Sequence, residues 1–149
     1  MGQTLEGSLP MRACWPNEVT DTMDIDIPDV RAEMEAAFAR YEAAILANDV
    51  PTLNALFHRA PQTIRYGMAE NLYGFDEIAA FRGARSSAGL MRSLARTVIT
   101  TYGHDAAVAS TLFRRDTMPG KLGRQMQTWV RFPEGWQIVA AHVSLIDEP

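Results

Sequence analysis

At 149 residues, with 47% hydrophobic and 21% charged side chains, the chain has the size and composition of one globular domain. Its net charge of −4 argues against nucleic acid or an anionic membrane as a partner of the whole surface, and no run approaches the roughly 18 apolar residues of a membrane span. A single cysteine, Cys14, excludes an intrachain disulfide framework and, with no secretory pattern at the N-terminus, points to the cytoplasm.

Residues 1–22 lack periodicity and hold Gly2, Gly7, Pro10 and Pro16, so they read as a flexible tail ahead of a single folded domain, 23–149. Asp26 and Pro28 signal a helix start. Val30, Met34, Ala37, Phe38, Tyr41 and Ile45 then recur on one face of a helix that ends at Asn48-Asp49. A short second helix is predicted from Pro51 to Phe57. Gln62 to Met68 alternates as a strand and runs into a turn. A third helix follows Gly74, from Asp76 to Arg85, with Asp76 and Glu77 favouring its positive end. Four further strands are predicted: Met91 to Tyr102, Ala106 to Arg114, Gly123 to Phe132, and Trp136 to Leu145. Helices ahead of a long antiparallel meander imply an α+β fold, with helices on the concave side of a curved sheet and a cup between them.

The run from Arg65 to Gly74 brings an arginine, Tyr66, Tyr73 and Asn71 together on a short β-turn-α unit, a pattern suited to a small anion. Tyr41 lies mid-face on the first helix. It is either a core tyrosine or a hydroxyl aimed into the cup as a proton donor. Strand alternation puts Arg65 and Tyr66 on opposite faces, so only one of them can line a given pocket. Arg82 and Arg85 share a helix stripe with Ile78 and Phe81, and either snorkel or enter a cavity, where a guanidinium fork suits a carboxylate. Gln125, Gln127 and Trp129 alternate on one strand, as pocket-lining amides or as a solvated face. Alternation from Trp136 and Ile138 turns His142 to the same side as those residues, as a core histidine or a base. The three histidines, His58, His104 and His142, stand apart with no carboxylate at ligand spacing, so no metal site is expected.

The segments Ala37 to Glu42, Leu53 to Phe57, Arg65 to Gly74, Ala80 to Arg85, Arg96 to Thr101, Gly123 to Gln125, Gln127 to Arg131 and Gly135 to Leu145 resemble the AtzH/HpxZ family. The resemblance runs from about Met23 to Leu145. It implies a cone-shaped α+β fold similar to nuclear transport factor 2 and the SnoaL-type cyclases, and assembly as a homodimer or homotetramer. It implies no cofactor. Family activity includes decarboxylation of 1,3-dicarboxyurea in cyanuric acid breakdown, and an association with oxalurate catabolism. The family's proposed catalytic pair, a helix-one tyrosine and a first-strand arginine, falls on Tyr41 and Arg65.

The expected function is therefore decarboxylation of a small dianion, 1,3-dicarboxyurea, to allophanate. Tyr41 supplies the proton and Arg65 holds a carboxylate or polarises the carbonyl. Asn71, Tyr73, Arg82, Arg85, Gln127 and His142 are the candidate substrate-binding residues. One alternative is a non-catalytic accessory or binding module for an amidase of the same pathway. Another is an acid-base isomerase or hydrolase, which needs a pocket carboxylate. None of Glu33, Glu35, Glu42, Asp49, Asp76 or Glu77 shares a predicted inward face with Tyr41.

Overall fold

The computed structural model describes residues 23–149, so the expected tail and Cys14 lie outside the described residues. Helix α1 (Pro28–Ala47) opens on Pro28, whose missing N–H costs nothing in a first turn, and closes on Asn48 in the left-handed conformation. Its buried side, Val30, Met34, Phe38, Tyr41, Ala44 and Ile45, follows the helical repeat of the sequence. Asp26 does not cap this helix. It ties the chain to the strand that carries Thr101, accepting from the Thr101 amide (2.9 Å) and donating its own N–H to the Thr101 carbonyl (3.0 Å).

Helix α2 (Val50–Leu56) is capped by Asp49, whose carboxylate accepts from the Thr52 amide and hydroxyl at 3.2 and 2.6 Å. Two short strands follow, β1 (Ile64–Tyr66) and β2 (Asn71–Tyr73), then helix α3 (Phe75–Ala84). Four long strands complete the chain: β3 (Ser93–Tyr102), β4 (Ala106–Arg114), β5 (Lys121–Phe132) and β6 (Gly135–Asp147). The segment Asn71–Tyr73, expected as a turn, is thus a strand that pairs back on β1 as a hairpin.

The six strands form one sheet in the order β2-β1-β6-β5-β4-β3. It is mixed rather than wholly antiparallel, because β1 lies parallel to β6, with Arg65 opposite Ala141. That pairing closes a loop of some seventy residues, beyond what local pattern reveals. Two bulges bend the sheet. One lies in β3, where Arg96 adopts φ 49° and Ala95 and Val98 flank a register shift against β4. The other lies in β6, where Thr128 pairs with Ala140 but Trp129 pairs with Ile138, leaving Val139 unmatched.

The β6 bulge decides which residues face inward. Before it Trp136 and Ile138 are buried; after it Ala141 and Val143 are. The extra residue reverses the alternation, so His142 points to the outer face instead of following Trp136 inward. The three helices cover the inner face around a core of Met34, Leu53, Phe57, Ile78, Trp129 and Ile138.

Candidate functional site

Where α1, α3 and the inner face of the sheet diverge they leave a cavity of about 100 Å³. That is well below the roughly 300–1,000 Å³ typical of drug-sized ligands, and suits a small acid. Helix α1 contributes Tyr41 and Ile45, strand β1 Arg65, and the β1–β2 turn Met68 and Glu70. Helix α3 adds Phe81 and Arg85, and the segment after it adds Leu90 and Arg92. The sheet closes the remaining wall with Gln125 and Val143, and Arg115 joins them from just past the end of β4.

Tyr41 is 3% exposed and its ring is fixed on two sides, edge-on to Trp129 (6.3 Å) and tilted against Phe57 (6.4 Å). Its phenol lies within electrostatic range of Arg82, Arg85 and Arg115. Arg65 faces the cavity while its neighbour Tyr66 faces outward, so the strand alternation selects the arginine. The Arg65 guanidinium lies over the Phe81 ring and donates to Glu70 Oε1 at 2.8 Å.

Arg92 is held bidentately by Glu42 at 2.6 and 2.9 Å and donates to Gln125 Oε1 at 3.1 Å. Its side chain is almost fully buried. Behind the wall Arg82 is buried over the Phe57 ring and reaches Asn54 Oδ1 at 3.4 Å. Five guanidiniums therefore converge on one small volume with two carboxylates, Glu42 and Glu70, to balance them.

The imbalance is visible in the electrostatics. Burial, with repulsion from Arg65 and Arg85, lowers the Arg82 pKa to about 10. Arg85 is lowered by burial and then by Arg65. Arg115 is lowered by burial and then by Arg92 and Arg85. Among the described residues, Arg82 Nη2, Arg85 Nε and Nη2, Arg115 Nε and Gln125 Nε2 are buried without a hydrogen-bond partner. Unpartnered buried donors of this kind are costly, and an anion that accepts from them removes the cost.

Of the residues picked out in the sequence, Tyr41, Arg65 and Arg85 line the cavity and Arg82 stands directly behind it. Gln127 is fully buried but is not a wall residue. Its Oε1 accepts from Trp129 Nε1 at 3.1 Å, and that indole in turn stands against the Tyr41 ring. Asn71, Tyr73 and His142 are not brought to the cavity. Asn71 and Tyr73 are exposed on the edge strand β2. The Tyr73 hydroxyl meets that of Tyr66 at 3.1 Å, and the Tyr66 ring stands edge-on to His142 on the outer face.

Three polar wall residues escaped the sequence reading of the site, Glu70, Arg92 and Arg115, and a fourth, Gln125, was one of the two amides left between pocket and solvated face. Gln125 had a signal, its alternation with Gln127 and Trp129. The three charged residues sit at turns or strand ends, where no period exists. Glu70 is the pocket carboxylate that the helix faces did not supply. No cluster of three metal-ligating side chains occurs among the described residues, and no described helix is long and apolar enough to cross a membrane.

The fold recurs in solved structures. A protein with unknown function from Pectobacterium atrosepticum is 61% identical, with 83% of this chain and 96% of that one covered at a TM-score of 0.81. A cystatin-like fold protein from Burkholderia xenovorans is 50% identical, with 85% and 99% covered at 0.82. A nuclear transport factor 2-like superfamily protein from Salmonella enterica is 28% identical, with 80% and 93% covered at 0.62. Among curated proteins no match is found. The AtzH-like family model matches residues 23–149, the whole of the described domain, and the chain belongs to that family.

Proposed function

We propose that this chain is a cofactor-independent carboxy-lyase that converts 1,3-dicarboxyurea to allophanate in the breakdown of cyanuric acid or urea-type nitrogen. The observation that carries this reading is the convergence of Tyr41 with four guanidiniums on a cavity of about 100 Å³. Membership of the AtzH-like family supports it.

The chemistry asks little of a protein beyond positioning and charge. One N–C bond of the N-carboxylated urea breaks, CO2 departs, and the bonding electron pair stays on nitrogen in conjugation with the urea carbonyl. Tyr41 protonates that nitrogen, and the phenolate recovers its proton from solvent. Arg65 serves the urea oxygen, where negative charge accumulates as the bond breaks. Arg85 and Arg115, whose buried donors lack partners, hold the carboxylate that stays. Gln125 Nε2 is a further unpartnered donor for the urea core.

The proposed partners are further copies of this chain, as a dimer or tetramer, and an amidase that supplies the substrate. The test is to generate 1,3-dicarboxyurea in situ with such an amidase and to follow CO2 and allophanate together. Equimolar, enzyme-dependent release of both is expected. Loss of substrate at the same rate with and without this chain would leave it a binding module.

A further inference from the structure

The anion site contains a carboxylate of its own. Glu70 and Arg65 both line the cavity and form an ion pair, 12% and 22% exposed for the arginine and glutamate side chains respectively, with Nη1 and Oε1 2.8 Å apart. The second carboxylate oxygen accepts from the Ala69 amide at 3.2 Å.

The local backbone builds this placement. Tyr66 pairs with Asn71, and the Gly67 amide donates to the Glu70 carbonyl at 2.9 Å, closing a four-residue turn between β1 and β2. A Cβ at position 67 would lie 1.6 Å from Glu70 Oε1 and 2.9 Å from Arg65 Nη1. Gly67 is not among the residues with positive φ, so the backbone itself does not demand glycine there. The absent side chain is what lets the carboxylate fold back onto Arg65.

Such a carboxylate is a poor choice if the cavity only has to bind anions. Its charge opposes an incoming dianion, and it occupies a guanidinium that the dianion would otherwise use. Decarboxylation changes that balance. The scissile carboxylate leaves as neutral CO2, so an ion pair to it stabilises the bound substrate and is lost on the way to the transition state. Arg85 and Arg115, with their open donors, are left for the carboxylate that keeps its charge.

Resting on the decarboxylase reading, we propose that Glu70 is a positioning residue: by occupying Arg65 it denies the scissile carboxylate an ion pair and directs the retained carboxylate to Arg85 and Arg115.

The test compares wild type with Glu70→Gln, which keeps an acceptor for Arg65 and removes the charge. The probe is malonate, an unreactive dicarboxylate, with its Kd measured by calorimetry beside kcat and KM on 1,3-dicarboxyurea. The variant is expected to bind malonate about fivefold tighter or more, with KM lower and kcat down about tenfold. A merely structural glutamate would not give tighter binding with slower turnover. Unchanged or weaker malonate binding, or an unchanged kcat, overturns the proposal. Should Glu70→Gln fail to fold, Gly67→Ala is the second variant: its Cβ pushes the carboxylate off Arg65, so kcat is expected to fall and malonate to bind tighter, by less than in Glu70→Gln because the charge stays. A wild type that releases no CO2 defeats the decarboxylase reading itself, an outcome separate from any difference between the variants.

Discussion

Arg92 and Glu42 form a bidentate ion pair, 2.6 and 2.9 Å, that pins helix α1 to the segment leading into β3 on the margin of the cavity. The Arg92 side chain is 2% exposed and that of Glu42 14%, so water does little to screen or replace either partner. Removing one partner strands the other's charge in a poorly hydrated place. Glu42→Ala is expected to cost about 3–5 kcal/mol, the range for breaking a buried pair, read as a lower urea midpoint. A loss below about 1 kcal/mol would place the pair with ordinary surface bridges.

The Tyr41 ring is anchored by Trp129 and Phe57, independently of its hydroxyl. Tyr41→Phe should therefore keep the melting temperature and malonate affinity near wild type while kcat falls about tenfold or more. Kinetics at saturating substrate, beside a thermal melt, separate the two effects. Wild-type turnover in this variant would remove the phenol from the reaction.

Arg82 illustrates a site held against its own stability. Its pKa is lowered to about 10, below the ordinary value of an arginine in the unfolded chain, so folding disfavours its charged form. Between that value and the ordinary one the unfolded chain binds the extra proton, and stability gains from this group as pH rises above about 10. At neutral pH the penalty is present in full. Arg82→Met is expected to raise the melting temperature at pH 7 while weakening malonate binding. A lower melting temperature would show that stacking on Phe57 and the bond to Asn54 outweigh the burial of charge.

Gly123 of β5 lies opposite Phe113 of β4, under its ring. A Cβ at 123 would meet three ring carbons of Phe113 at 2.2–2.4 Å. The ring is buried and cannot swing away. Gly123→Ala should cost about 1–3 kcal/mol through overpacking, and Phe113→Leu in the same chain should recover part of it. A double-mutant cycle of denaturant midpoints measures the coupling; additive losses would contradict the contact.

These contrasts show where the sequence was legible. The buried stripe of α1 is local and periodic, so the pattern alone places Tyr41 on an inward face. Strand alternation likewise separated Arg65 from Tyr66. The same rule misplaced His142, because one unmatched residue, Val139, reverses the phase of β6 and nothing in its side chain announces a bulge. The parallel pairing of β1 with β6 and the three-residue β2 depend on contacts distant in sequence. Glu70, Arg92 and Arg115 come to the cavity through turns and strand ends, where only the assembled fold decides what a side chain meets.

The central claim is best tested by CO2 release from 1,3-dicarboxyurea generated in situ, with wild type beside Arg65→Ala at matched concentrations. The account predicts rapid enzyme-dependent release by wild type, with allophanate as the product, and release near the spontaneous rate in the variant. Release that is equally fast with wild type, with Arg65→Ala and with no added chain would contradict it.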